Sequence, residues 1–309
     1  MASQNSARDG AADGWYWSAD GLRLHYRDWA GPEDGPADRP ALLCLPGLTR
    51  TAADFDALAR RLSGQWRVVA VDLRGRGESA WPKDSLSYVP LTYMQDLGRL
   101  IEAARLSRFV VLGSSLGGLL ALQLTTGHRA AMAGVILNDI GPELAADGLA
   151  RLRANVGRGG NWPTWVHAAR DLAARNGAVY PDWQLQDWLE HAHRLCRLSA
   201  AGRVVFDYDP RIAEPFRLPG ADAGADHWAA FQALAGMPVL SLRGALSDVF
   251  TRHAQARMQA RLPEMMCVEV PRVGHAPSLS EPVAVAAVET LLARVLDTQR
   301  QGANGMTAR

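Results

Sequence analysis

Lysine is almost missing from this chain: Lys83 is the one lysine among 33 basic residues, and the rest are arginine. The basic residues are balanced by 32 acidic ones, for a formal net charge of +1. So even a balance leaves no field that would draw the protein to nucleic acid or to an anionic membrane surface. Cysteine is scarce too. Cys44, Cys196 and Cys267 fit no zinc or redox spacing. Cys44 and Cys267 lie in apolar runs, so they are expected as small buried thiols. No apolar run reaches the ~18 residues that a membrane span needs. Met1 to Gly14 is polar and small, without the apolar stretch of a secretory signal. A cytoplasmic location is the expectation. His191 and His193 are two apart and face different sides of a helix, which argues against a metal pair.

The composition that is present is that of a globular protein, 48% hydrophobic and 21% charged over 309 residues. Residues 1–14 and 297–309 lack periodicity and are expected to be flexible tails. From Trp15 two short runs flank the turn residues Ser18 to Gly21, a hairpin pattern. Short apolar runs then alternate with helical patterns: 41–45, 67–71, 109–112 and 134–137 read as strands, and 54–62, 93–106 and 116–126 as helices. Unbroken apolar strands in this rhythm predict a parallel sheet covered on both faces. The rhythm stops near Gly141. Residues 142–226 read as helical, with no convincing strand, and hold Trp162, Trp165, Trp183 and Trp188. Strand patterns return at 237–242 and 265–270, and a last helix is expected over 282–296. The predicted organisation is therefore an α/β core over 15–141 and 227–296, interrupted by a helical insertion.

The most informative segment is VVLGSSLGGLLAL, which carries G-x-S-x-G as Gly113-Ser114-Ser115-Leu116-Gly117. A serine there sits on a sharp strand-to-helix turn, and its neighbours two residues away on each side must be small. A serine hydroxyl needs a contacting base, and that base needs an orienting carboxylate. His275, in VGHAPSLSEP after the last strand, is the expected base. Asp248, in LRGALSDVF after the preceding strand, is the expected acid, with Asp139 in VILNDIGPE as its rival. Asp72, in VDLRGRGES, reads as a structural partner of the turn that follows it.

With LCLPGLTRTAADF, VVAVDLRGRGES, VVLGSSLGG, LRGALSDVF and VGHAPSLSEP in place, the chain resembles the α/β-hydrolase superfamily over about residues 15–296, in its esterase, epoxide-hydrolase and dehalogenase-like branch. The resemblance implies a mainly parallel eight-stranded sheet flanked by helices, with the insertion serving as a helical lid after the sixth strand. Many relatives carry His-Gly at the oxyanion loop, where this chain has Pro46-Gly47-Leu48. A backbone N–H suffices there, so the donors are expected at Leu48 and Leu116. Dehalogenases and epoxide hydrolases of this branch carry an aspartate nucleophile; Ser115 in that place argues against both chemistries.

Arg50 follows the oxyanion loop, where a cation opposes the dipole of the coming helix. It is a candidate clamp for a substrate carboxylate, and the four insertion tryptophans are candidate walls of the pocket. The function expected is hydrolysis of a carboxylic ester of a small organic molecule through an acyl-enzyme. Lactone, amide and C–C cleavage are variants. A cofactor-independent oxygenase and a non-catalytic ligand-binding protein are the readings from other classes. No metal or organic cofactor, no nucleic acid and no membrane is expected, and the protein is expected as a monomer or homodimer.

Overall fold

The computed structural model describes residues 10–33, 39–217 and 226–307, with the side chains of 302–307 left aside. Eight strands form one sheet in the order β1-β2-β4-β3-β5-β6-β10-β11. They are β1 (Ala11–Trp17), β2 (Arg23–Trp29), β3 (Ala41–Leu45), β4 (Val68–Asp72), β5 (Phe109–Ser114), β6 (Met132–Asn138), β10 (Val239–Gly244) and β11 (Met266–Val270). The β1–β2 hairpin and the β2–β4 pair are antiparallel, and every later pairing is parallel.

Period-two geometry explains how one sheet supports two cores. Leu42, Cys44, Val68, Ala70, Val110 and Leu112 point to one face. Ala41, Leu43, Leu45, Val69, Val71, Phe109 and Val111 point to the other. Every residue of β3, β4 and β6 is buried, which is why those strands read as unbroken apolar runs. In the core, helices α1 (Asp56–Leu62), α2 (Pro90–Ala103), α3 (Leu116–Gln123) and the short α4 (Thr125–His128) precede the insertion. The core helices α9 (His227–Gln232), α10 (Arg252–Arg261) and α11 (Pro282–Thr307) follow it. Buried Arg74 braces the hairpin side, with Nε and Nη2 donating to Asp96 at 2.7 and 2.8 Å and the outer nitrogens reaching Asp20.

The structure differs from the sequence reading in three places. The first strand begins at Ala11, inside the stretch expected as a tail, because its residues pair with β2 from Ala11↔Trp29 onward. The last helix runs on to Thr307, past the expected end at 296. The insertion contains α5 (Ala146–Asn155), α6 (Trp165–Asn176), α7 (Leu185–Leu195) and α8 (Ala213–Arg217), but also β7 (Asn161–Trp162), β8 (Cys196–Leu198) and β9 (Val204–Phe206). These three form a small antiparallel sheet in the order β7-β9-β8. Runs of two or three residues are too short to show a period, so no strand pattern was visible. Residues 1–9, 218–225 and 308–309 of the expected tails and insertion lie outside the described residues.

The three cysteines are free thiols, with Cys44 and Cys196 buried and Cys267 half-buried. Among the described residues no helix is long and apolar enough to cross a membrane.

Candidate active site

Ser115 stands between β5 and α3 with φ 52° and ψ −118°, a backbone conformation that side-chain-bearing residues rarely adopt. The turn closes only because its flanks are glycine. A Cβ on Gly113 would lie 2.3 Å from the Gly117 carbonyl oxygen, and one on Gly117 would lie 2.0 Å from that of Leu45. The Ser115 N–H donates to the Asn138 carbonyl at 3.1 Å, which ties the turn to the end of β6. The elbow lies where β3 and β5 are neighbours and the strand order changes direction, the place where open α/β sheets keep their sites.

His275 Nε2 is 2.9 Å from Ser115 Oγ, and His275 Nδ1 is 2.8 Å from Asp139 Oδ2. The acid in contact with the histidine is therefore Asp139, and the expectation of Asp248 is corrected. Asp139 is fully buried, one residue past β6, at φ 56°. Its Oδ1 accepts the Gly244 N–H at 2.7 Å, and its Oδ2 also accepts the Ser247 hydroxyl at 2.6 Å. Those donors hold a carboxylate in a dry site and aim it at the imidazole. Asp248 lies further along the same loop, but its carboxylate turns outward to Arg151 on α5, with contacts of 2.5 and 2.7 Å. It is 44% exposed, and the hydrogen bond and charge of Arg151 hold its carboxyl below the usual range despite partial burial. Gly148 of α5 packs against the Asp248 backbone, where a Cβ would meet the carbonyl oxygen at 2.3 Å. The insertion thus claims this residue.

Asn138, which sequence reasoning passed over, joins the two halves of the site. Its amide Nδ2 donates to Ser114 Oγ at 3.1 Å and to the Pro277 carbonyl at 2.9 Å. One side chain so links the residue beside the nucleophile to the loop that carries His275. The insertion braces the same loop: Tyr180 Oη donates to the Ala276 carbonyl at 2.7 Å, and the Gly274 N–H to the Val179 carbonyl at 2.7 Å. The only signal for Asn138 in the sequence was its place at a strand end next to Asp139.

A cavity of about 480 Å³ opens onto Ser115 and His275, and the insertion supplies much of its wall. Leu48 lines it and Leu116 follows Ser115 at the start of α3. None of the four candidate tryptophans does. Trp162 packs edge-on to Phe206 and donates to Asp171, Trp165 stacks on His193, and Trp183 stacks on Tyr180 with Trp188 edge-on to it. They hold the insertion together, and the aromatic part of the wall is Phe55, Tyr180, Phe206 and Tyr208. Arg50 does line the cavity, but not as a free clamp. Its Nε and Nη2 donate to the two oxygens of Asp54 at 2.5 and 2.7 Å, and Nη1 approaches His191 Nε2 at 3.4 Å. Burial, reinforced by the charges of Arg50 and Arg194, pushes the His191 imidazole well below its ordinary pKa, so it is neutral. His191 is buried and His193 exposed, and no group of described residues has the makeup of a metal site.

Asp72 serves the scaffold, as its sequence context suggests. It accepts from His25 Nδ1 at 2.7 Å, from the Ala52 N–H at 2.7 Å and from the Glu78 N–H.

Residues 42–288 match the profile of the Alpha/beta hydrolase family. The chain belongs to that family. It is 35% identical to the 3-hydroxybutyrate-oligomer hydrolase of Cupriavidus necator, over 85% of this chain and 90% of that protein. The solved structure of an alpha/beta hydrolase from Novosphingobium aromaticivorans superposes with a TM-score of 0.87 at 48% identity, covering 92% of this chain and 99% of that one. The structure of E-2-(acetamidomethylene)succinate hydrolase superposes with a TM-score of 0.74 at 23% identity, over 93% and 99% of the two chains, a likeness of fold. This α/β hydrolase therefore shares its fold with enzymes whose substrates differ.

Proposed function

We propose that this α/β hydrolase cleaves a carboxylic ester through an acyl-enzyme. The observation that carries the proposal is the unbroken chain of contacts from Ser115 Oγ through His275 to Asp139. In the first half-reaction the Ser115 oxygen bonds to the ester carbonyl carbon while His275 Nε2 takes the hydroxyl proton. The carbon–oxygen bond to the alcohol then breaks, and His275 returns the proton to the leaving oxygen. In the second half, water deprotonated by His275 splits the acyl-enzyme and frees the acid. Asp139 keeps the proton of the resting imidazole on Nδ1 and stabilises the imidazolium that forms. The backbone N–H groups of Leu48 and Leu116 hold the oxyanion, and the insertion acts as a lid over the cavity. Lactones and amides would pass through the same steps. An ester is favoured because the relative at 35% identity is named for hydrolysing a hydroxy-acid oligomer. A fluorophosphonate probe tests the nucleophile: it should label the native protein at Ser115, as read by peptide mass, and not the denatured one. Labelling elsewhere, or none, would remove the acyl-enzyme.

Arg76 is a positioning residue in this scheme. Fully buried in the turn after β4, it donates to the Leu48 carbonyl from Nε at 2.9 Å and Nη2 at 2.8 Å, and to Tyr93 Oη at 3.0 Å. Its planar fork holds the peptide whose neighbouring N–H faces the oxyanion. Lysine keeps the charge but cannot reproduce the fork. Arg76→Lys is expected to lower kcat by roughly ten- to a hundred-fold, as a small displacement of a catalytic group does, with KM little changed. Steady-state kinetics checks it; a fall in thermal stability with kcat intact would leave Arg76 a scaffold residue only.

A further inference from the structure

The cavity wall carries five guanidinium groups. Arg50, Arg151, Arg158, Arg175 and Arg194 all line it, against one lining carboxylate among the described residues, Asp54. Three of the five have partners: Arg50 is forked onto Asp54, Arg151 onto Asp248, and Arg175 pairs with Asp171 at 2.7 Å. Arg158 and Arg194 make no ion pair among the described residues. They differ in setting, since Arg158 is exposed and Arg194 half-buried at the end of α7. The Arg194 backbone is anchored, its carbonyl accepting from Thr51 Oγ1 at 3.3 Å beside the oxyanion loop. Of the acidic residues that share a surface depression with it, Asp54 has both oxygens occupied by Arg50, Asp56 pairs with Arg27, and Glu190 accepts from Gln186. His191 is uncharged and offers no negative partner.

A partly desolvated cation without a counter-charge is costly unless a ligand supplies one. An exposed cation is screened by water and contributes little to affinity. We infer that the substrate of this hydrolase carries a free carboxylate besides the scissile ester, and that Arg194 is its principal contact in the cavity. Arg158, at the exposed wall, adds attraction rather than a fixed bond. The inference rests on the ester-hydrolase reading and deepens it: the molecule that holds the scissile ester also ends in an ionised carboxylate. It also moves the charge-reading role away from Arg50, whose guanidinium is already matched.

The linear dimer of 3-hydroxybutyrate and the same dimer capped as its primary amide differ by one charge and almost nothing in shape. On the free acid, Arg194→Gln is expected to lower kcat/KM by about ten- to thirty-fold, mainly through KM, as loss of a charge-assisted contact does. The loss on the amide should be smaller by about five-fold or more, and Arg194→Lys should restore most of the KM on the acid. Arg158→Gln should cost the acid only a few-fold, an effect that fades as salt is added. Equal losses on acid and amide, or no loss on either, would overturn the inference. If neither dimer is turned over, calorimetric titration of both into Ser115→Ala protein reads the charge preference apart from catalysis. Tighter binding of the acid, lost in Ser115→Ala/Arg194→Gln, sustains it; equal binding of the two dimers overturns it.

Discussion

Ser115→Ala is expected to lower ester turnover by roughly 10⁴- to 10⁶-fold, the scale seen when a triad nucleophile is removed, while the protein stays folded. In the proposed scheme the attack falls to Ser115, whose Oγ is the hydroxyl that His275 Nε2 contacts. Ser114 is next in the chain, but its hydroxyl accepts from Asn138. The fold should survive because the tightness of the elbow comes from Gly113 and Gly117, not from the serine side chain. Alanine also keeps the one-carbon bulk at φ 52°, so it adds no strain that serine lacks. The measurement is kcat on a p-nitrophenyl ester alongside thermal unfolding. Near wild-type turnover in a folded Ser115→Ala would end the role of Ser115. Ser114→Ala, assayed in parallel, should retain most of the activity.

The choice of acid has the second-largest consequence. Asp139→Asn is expected to lower kcat by roughly 10³- to 10⁴-fold, because an amide can neither fix the Nδ1–H tautomer of His275 nor balance the imidazolium. It also disturbs a buried network, since the Gly244 N–H and the Ser247 hydroxyl both donate to that carboxylate. A drop in stability of about 1–3 kcal/mol should accompany the kinetic loss, from a buried donor left without its acceptor. Asp248→Asn should change kcat by less than about three-fold. It weakens only a partly exposed pair with Arg151, of a kind worth about 0–1 kcal/mol. Kinetics and denaturant unfolding of both variants decide the matter, and the reverse ranking would return the acid to the loop after β10.

The confusion between these two aspartates shows where a sequence stops informing. Both follow apolar strands, and β6 and β10 are neighbours in the sheet, so either loop ends beside His275. Order along the chain fits both. The decision lies in where each carboxylate turns, and that depends on partners far away in sequence. Asp139 meets Gly244 and Ser247, more than a hundred residues on, whereas Asp248 meets Arg151 on the insertion. The tryptophans failed for a related reason. Aromatic residues in an insertion suggest a pocket wall, but packing between α6, α7 and the small sheet absorbed them, and Phe55, Tyr180, Phe206 and Tyr208 face the cavity instead.

What the sequence determined by itself was everything written in short-range pattern. Unbroken apolar runs specify buried parallel strands, because a strand covered on both faces has no polar side to alternate with. Glycine on both sides of Ser115 specifies the elbow, because no side chain fits between turn, sheet and helix there. The position of His275 after the last strand followed from the same rhythm. What only the tertiary structure decided was the pairing of charges: Asp139 rather than Asp248 under His275, Asp54 on Arg50, and Arg194 without an ion pair among the described residues. Ion pairs and hydrogen bonds join side chains through space at about 3 Å. Nothing in a run of neighbouring residues records which distant carboxylate will fill that space once the strands have been laid side by side.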